Sequence, residues 1–151
     1  MLYIGLDPGN ISGAIAWIVS QHTVCDSRRF KDMTEKELSN LIRELKEMHS
    51  NVVAIVEKIW AFPNQGVSSG FKFGENYGLL RGLLLAYDIP HNLVTPKTWQ
   101  KFYGMEKDKL ESKPQGKKRL RGKAQEIFPL SKVGTETADA ILIAEYARKC
   151  F

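Results

Sequence analysis

Cysteine is scarce in this chain: Cys25 and Cys150 stand at opposite ends, neither in a CxxC pair. That spacing excludes a zinc ribbon and a thiol-redox motif, so both read as incidental thiols of a reducing compartment. Histidine is equally sparse, and His22, His49 and His91 are too scattered to form a ligand set. Each reads as a surface or satisfied core residue. No GxxxxGK[ST] loop is present, which sets aside the nucleotide hydrolases built on it. No apolar run is long enough to span a bilayer. An apolar strand that starts at Leu2 leaves no room for a signal peptide. The expectation is a cytoplasmic protein without a membrane partner, an organelle or phage-infected cell being the alternative settings. Repeats and interdomain linkers are also missing. A chain of 151 residues then suits one domain, residues 1–151, with a genuine core.

Acidic charge is in deficit, and the deficit is local. The formal net charge is +5. Between Lys97 and Lys123 there are ten Lys/Arg and three acids, a net of +7, which leaves −2 for the rest of the chain. A concentrated basic segment is the electrostatic footprint of a nucleic-acid surface.

The chain opens on Leu2-Tyr3-Ile4-Gly5-Leu6-Asp7-Pro8-Gly9, a short apolar strand stopped by proline and glycine just after a carboxylate. Alone, Asp7 is equally well a turn acid. A tight loop over Asn10–Gly13, a strand over Ala14–Val19 and an edge-like strand over Thr23–Phe30 follow, suggesting an antiparallel meander. Thr34 and Glu37 form a capping box for a helix with apolar positions Leu38, Leu41, Ile42, Leu45 and Met48. Val52–Glu57 is a β-branched run predicted as a buried central strand, and it too ends in an acid. A loop with Trp60 and Phe62 comes next. A long helix is expected over Val67–Tyr87, with Gly74, Gly78 and Gly82 four apart on one stripe. Such a stripe implies close backbone approach, either to the protein's own sheet or to a second copy of the helix. His91–Val94 gives the last strand, and Thr95-Pro96 starts a helix over Lys97–Phe102. Tyr103–Gln115 reads as a mobile loop, Gly116–Phe128 as a basic helix, and Thr135–Lys149 as the final helix.

That final helix begins Thr135-Glu136-Thr137-Ala138-Asp139, which puts Glu136 and Asp139 three apart on one face. Acids in a first helical turn often serve only the macrodipole. With Asp7 and Glu57, however, there are four acids, two at strand ends and two at a helix start. Magnesium is held by a few carboxylates together with waters and substrate oxygens, and two such ions can clamp a phosphodiester during hydrolysis.

On these residues the whole chain resembles the RuvC family of Holliday-junction resolvases, within the RNase H-like superfamily. "GLDPG" resembles the family's first catalytic strand, "AIVEKIW" its second acidic strand, and "ETADAILIAEYA" its terminal helix. Glu136 stands where the family usually carries Asp or His. The resemblance implies an α/β fold with a mixed five-stranded sheet, the first three strands antiparallel in part, and helices on both faces. It implies Asp7, Glu57, Glu136 and Asp139 as catalytic ligands of two Mg²⁺ ions, with Mn²⁺ a substitute. It further implies Lys97 as a catalytic cation near the phosphate, joined by Lys117 or Lys118, and Trp60 as a stacking platform for bases at an opened junction. Lys101, Arg119, Arg121 and Lys123 are expected as general phosphate contacts, each equally describable as a solvated charge. The partner implied is branched DNA, a four-way junction cut by symmetric paired nicks, with a homodimer formed through helix 67–87. A helicase partner is left open. The rival readings are a flap or fork nuclease, an RNA-cleaving relative, and a non-catalytic nucleic-acid-binding module of the same fold.

Overall fold

The computed structural model describes residues 1–9, 13–60, 66–106 and 110–151. Asn10–Ser12 and the Phe62 loop therefore lie outside the described residues. Five strands form one sheet, in the order β3-β2-β1-β4-β5: β1 is Leu2–Asp7, β2 Ala14–Val19, β3 Asp26–Arg29, β4 Val52–Glu57 and β5 His91–Val94. β1 pairs antiparallel with β2, and β2 with β3, whereas β1–β4 and β4–β5 are parallel. This is the mixed α/β sheet expected.

Alternation along the strands divides the core in two. Leu2, Ile4 and Leu6 of β1, with Val52, Ala54 and Val56 of β4, pack toward α1 (Glu35–Met48) and α2 (Val67–Ala86). Tyr3 and Ile55 face the other way, toward α3 (Pro96–Phe102), α4 (Lys113–Ile127) and α5 (Ala138–Cys150). Trp99 and Phe128 are the largest fully buried side chains of that second layer, each stabilising it by roughly 1.5–3 kcal/mol. α5 runs through its centre and is buried nearly all round, from Ala138 to Ala147.

Gly5 permits that central position. A Cβ there would fall on the backbone of Ala140 and Ala144, so the helix lies directly on β1 only because the strand has no side chain at this point. α1 starts as expected: the Thr34 hydroxyl accepts from the Glu37 amide, and the Glu37 carboxylate accepts from the Thr34 amide at 2.7 Å.

Three expectations are corrected. β3 is shorter than Thr23–Phe30, because Phe30 turns into the core through one 3-10 turn, Phe30–Asp32. α4 begins at Lys113, not Gly116: Ser112 and Gln115 make a second capping box. Pro114, which falls inside the expected Tyr103–Gln115 loop, sits in the first turn of the helix, where its missing N–H costs nothing. α5 begins at Ala138, not Thr135. The Gly134 amide donates to Thr137 Oγ1 at 3.0 Å, a tight turn that leaves Glu136 ahead of the helix.

The glycine stripe of α2 is not pressed on the sheet. A side chain at Gly74, Gly78 or Gly82 would meet nothing. The stripe faces outward with Phe71 and Leu85, both about two-thirds exposed, while Leu80 and Leu84 make the inward attachment. Among the described residues, no helix is long and apolar enough to cross a membrane.

Candidate active site

Register and parity bring two of the acids together. In the parallel β1–β4 pair, Leu6 lies opposite Val56, so Asp7 and Glu57 are the next residues on neighbouring strands. Both belong to the odd-numbered set that faces α5. They leave the sheet side by side at its carboxyl edge, the usual ligand position in α/β folds. The close approach at Gly5 sets the first turn of α5 over the same edge, which delivers Asp139.

Neighbouring groups fix these side chains. Asp7 Oδ1 accepts from the Gly9 amide at 3.2 Å. The turn beyond it is tied to α2 by Asn76, whose Nδ2 donates to Pro8 O at 2.9 Å. Gly13 packs so closely on the Asp7 and Gly9 backbone that a Cβ there has no space. Glu57 Oε1 accepts from the indole of Trp99 at 2.8 Å, and the Lys58 amide donates to Val94 O at 2.7 Å, holding the strand end against β5.

Burial, then mutual repulsion, governs the electrostatics. Asp7 is pushed well above the usual carboxylate range by burial, then by the charges of Glu57 and Asp139; the Gly9 amide and Lys117 partly oppose this. Glu57 is raised to about 7 by burial, against the Trp99 hydrogen bond and with Asp139 adding to the rise. Asp139 is raised by burial and partly offset by Lys117. Three acids thus act on one another, and among the described residues Lys117 offsets the rise at two of them, Asp7 and Asp139. Buried acids of this kind are costly until a cation joins them.

A stability profile follows from the signs. An acid whose folded pKa is raised favours folding at low pH and loses that contribution as pH rises from its unfolded to its folded value. For Glu57 the window runs from 4.5 to about 7, and Asp7 and Asp139 have the same sign. Glu37 and Glu136 are lowered, so their opposite contribution changes below that window. The metal-free protein is therefore expected to melt several degrees lower at pH 8 than at pH 5.5. Added Mg²⁺ or Mn²⁺ should recover most of the loss at pH 8 and little at pH 5.5. Thermal scans in chelator check this; a higher melting temperature at pH 8 would contradict it.

Glu136 stands apart from the three. It accepts from Arg29 Nη1 at 2.8 Å and from Lys31 Nζ at 3.1 Å, which lowers its pKa, Arg29 contributing most. The corrected start of α5 explains the difference, since a residue in the preceding turn does not share Asp139's face. Among the described residues, no three His, Cys, Asp or Glu side chains are gathered closely enough, as they stand, to enclose a metal ion.

The expected cations separate into free and engaged. Lys117 acts on both Asp7 and Asp139. Lys97, in the first turn of α3, is exposed and is not among the charges that shift Asp7, Glu57 or Asp139. Lys101 and Lys118 are also exposed. Arg119 differs from a solvated phosphate contact: its guanidinium binds Glu111 at 2.7 and 2.9 Å and Met105 O at 2.7 Å, tying the approach to α4 together. Arg121 donates to Val133 O, and Lys123 pairs with Glu126. Trp60 is 49% exposed, with the Lys58 ammonium 5.6 Å from its ring centroid. Sequence reasoning missed Trp99 and Asn76. A tryptophan in a helix just past a strand was the available cue, because a buried indole N–H needs an acceptor.

Among solved structures, the chain is similar to T. thermophilus RuvC in complex with a Holliday junction substrate. The TM-score is 0.67 at 16% identity, over 99% of this chain and 97% of that one. A second Thermus thermophilus RuvC structure gives 0.59 at 16% identity, over 95% and 91%. No family model and no curated protein matches the sequence. The fold is RuvC-like.

Proposed function

We propose that this chain is a magnesium-dependent endonuclease that resolves four-way DNA junctions by paired symmetric nicks, acting as a homodimer. The observation that carries the reading is the convergence of Asp7, Glu57 and Asp139 at the carboxyl edge of two parallel strands, all with raised pKa values. The RuvC-like fold is consistent with it.

Three hard oxygen donors suit Mg²⁺, which tolerates one or two carboxylates with water completing its shell. Asp7, Glu57 and Asp139 would be the residues that hold the ions. Two divalent ions bound there would supply the charge that activates a water and stabilises the leaving oxygen of a phosphodiester. The chain's own residues do the rest. Trp99 holds Glu57 in one orientation, Asn76 and Gly13 fix the Asp7 turn, and Lys117 brings positive charge to the edge where a phosphate must lie. Lys97, exposed at the start of α3, is the further cation proposed for the reacting phosphate, and Lys101 and Lys118 add phosphate contacts. Trp60 offers an open aromatic face to an unpaired base. The outward glycine stripe of α2, flanked by Phe71 and Leu85, suits a second copy of the same helix. A two-fold pair would present two such sites to a roughly two-fold junction.

As a fourth ligand, Glu136 would have to leave Arg29 and Lys31. Glu136→Gln is therefore expected to weaken Mn²⁺ binding by less than about tenfold, and Asp139→Asn by more than about tenfold (1.4 kcal/mol). Calorimetric titration orders the two, and the reverse order would make Glu136 a primary ligand.

The deciding experiment compares cleavage of a labelled four-way junction with matched duplex, flap and fork, in Mg²⁺ and in chelator. Paired nicks confined to the junction and absent in chelator are the expected result. Equal cutting of flaps would move the function to a general branched-DNA nuclease. Binding without cleavage under any divalent metal would make the chain a non-catalytic nucleic-acid-binding module.

A further inference from the structure

The free edge of the sheet carries a second basic surface that the residues above do not account for. Among the described residues, β3 pairs only with β2. Arg28 lies opposite Ile15, which belongs to the α1/α2 core, and Arg29 opposite Ala14, which belongs to the α5 core. The two guanidinium groups therefore straddle the edge. Facing them is the turn between α4 and α5, which carries Lys132 and Thr135. Between the two runs a groove of about 990 Å³ whose walls include Arg28, Arg29, Lys117, Lys132, Thr135 and Glu136.

Its acids are already matched. Glu136 is bound by Arg29 and Lys31, Asp32 by Arg29 at 2.6 Å, and Glu37 is taken up by the Thr34 cap. Arg28, Lys117 and Lys132 form no ion pair with any described residue. A charged edge strand is a common guard against stray pairing, and Arg28 alone would need no other account. That account does not explain why the opposite wall, from a different part of the chain, also carries two lysines, Lys117 and Lys132, beside a Glu136 that is already paired. Lys117 gives the groove its direction, because the same ammonium acts on Asp7 and Asp139. A polyanion lying along the edge reaches the carboxylates past acids that are already bonded to cations or to the Thr34 cap.

We propose that this groove seats the sugar–phosphate backbone of the cleaved strand next to the scissile phosphate, with Arg28 and Lys132 as phosphate contacts. The inference rests on the nuclease reading and adds the path of the substrate to it. Contacts of this kind position the strand without reading its sequence. Arg29 and Lys31 contribute indirectly, by neutralising Glu136 where its charge would face the phosphates.

The test measures binding of the full-length chain to a labelled four-way junction in Ca²⁺, across a series of KCl concentrations, for the wild type and for Arg28→Ala/Lys132→Ala. Both side chains are exposed and form no ion pair with a described residue, Arg28 acting on Glu37 only at longer range, so the melting temperature should change little and the Mn²⁺ affinity not at all. Losing two phosphate contacts lowers the slope of log affinity against log salt by about 1.8. The loss of affinity should be the same for junctions of different sequence. Lys46→Ala, at the far end of α1, is the control and should leave the slope alone. A wild-type slope in the double variant, or an equal drop in the control, overturns the groove, while cleavage by the wild type leaves the nuclease reading intact. A wild type that binds no nucleic acid at all overturns both.

Discussion

Asp7→Asn is expected to abolish cleavage and, in chelator at pH 8, to raise the melting temperature. The two effects have one cause. Asp7 is buried against Glu57 and Asp139, and its pKa is raised by burial first and by those charges second. Neutralising it removes a desolvated charge and relieves both neighbours. An amide oxygen can still accept from Gly9, so the local turn survives. A gain of only 1 kcal/mol shifts the melting temperature of a chain this size by roughly 2–4 °C. The same substitution deletes a carboxylate that would hold the cation, one acted on by both Glu57 and Asp139. A fall in rate of three orders of magnitude corresponds to about 4 kcal/mol of lost transition-state stabilisation, and a loss of at least that size is anticipated. Added Mn²⁺ should stabilise the wild type and scarcely affect the variant, since only binding to the folded state shifts the equilibrium. Melting curves with and without metal, beside junction cleavage, decide the matter. A variant that still cuts would remove Asp7 from the site; one that melts lower would refute the repulsion account.

Gly5→Ala should be strongly destabilising. Its Cβ would occupy the backbone of Ala140 and Ala144, and backbone atoms cannot rotate aside as a side-chain tip does. Either α5 lifts from β1 or the strand bends. Overpacking typically costs 1–3 kcal/mol and occasionally more. With a helix backbone as the obstacle, about 3 kcal/mol or more is expected, a drop near 10 °C. Lifting α5 also withdraws Asp139 from Asp7, so any folded fraction should bind Mn²⁺ weakly. Gly122→Ala is the informative contrast. A side chain there meets nothing on α4, and the better helix former should stabilise by up to about 1 kcal/mol. The same chemical change thus carries opposite signs at two positions. Equal effects would mean that the contact of α5 with β1 is not what limits packing.

The strands that build the site were legible because they are unambiguous. Leu2–Asp7 and Val52–Glu57 are short apolar runs closed by acids, and the parallel pairing that sets them side by side is what an α/β order of elements favours. The start of α4 was not legible. Pro114 and the polar run before it look like a loop until the Ser112–Gln115 box is recognised. Glu136 was misplaced for a related reason. Its three-residue spacing from Asp139 counts as one face only if the helix already exists there, and the Gly134–Thr137 turn delays it. The partners of the cations were beyond reach as well, because Arg119 with Glu111 and Arg29 with Glu136 are settled by how loops fold back, not by local spacing. The α2 glycines show a further limit: their spacing signals closeness to something, yet a sequence does not say whether that something belongs to the same chain.

The hydrogen bond between Trp99 and Glu57 has an optical consequence. Trp99 is fully enclosed and bonded to the acid that a cation would contact, whereas Trp60 stands half in water under an ammonium group. An indole in an apolar surround emits at shorter wavelength than one in water, so in a Trp17→Phe background, which removes the third and partly buried indole, the two contribute separable parts of the ultraviolet emission. The blue part reports on the carboxylate edge and the red part on the outer face. Unlabelled protein can thereby distinguish occupancy of one region from occupancy of the other in a single spectrum.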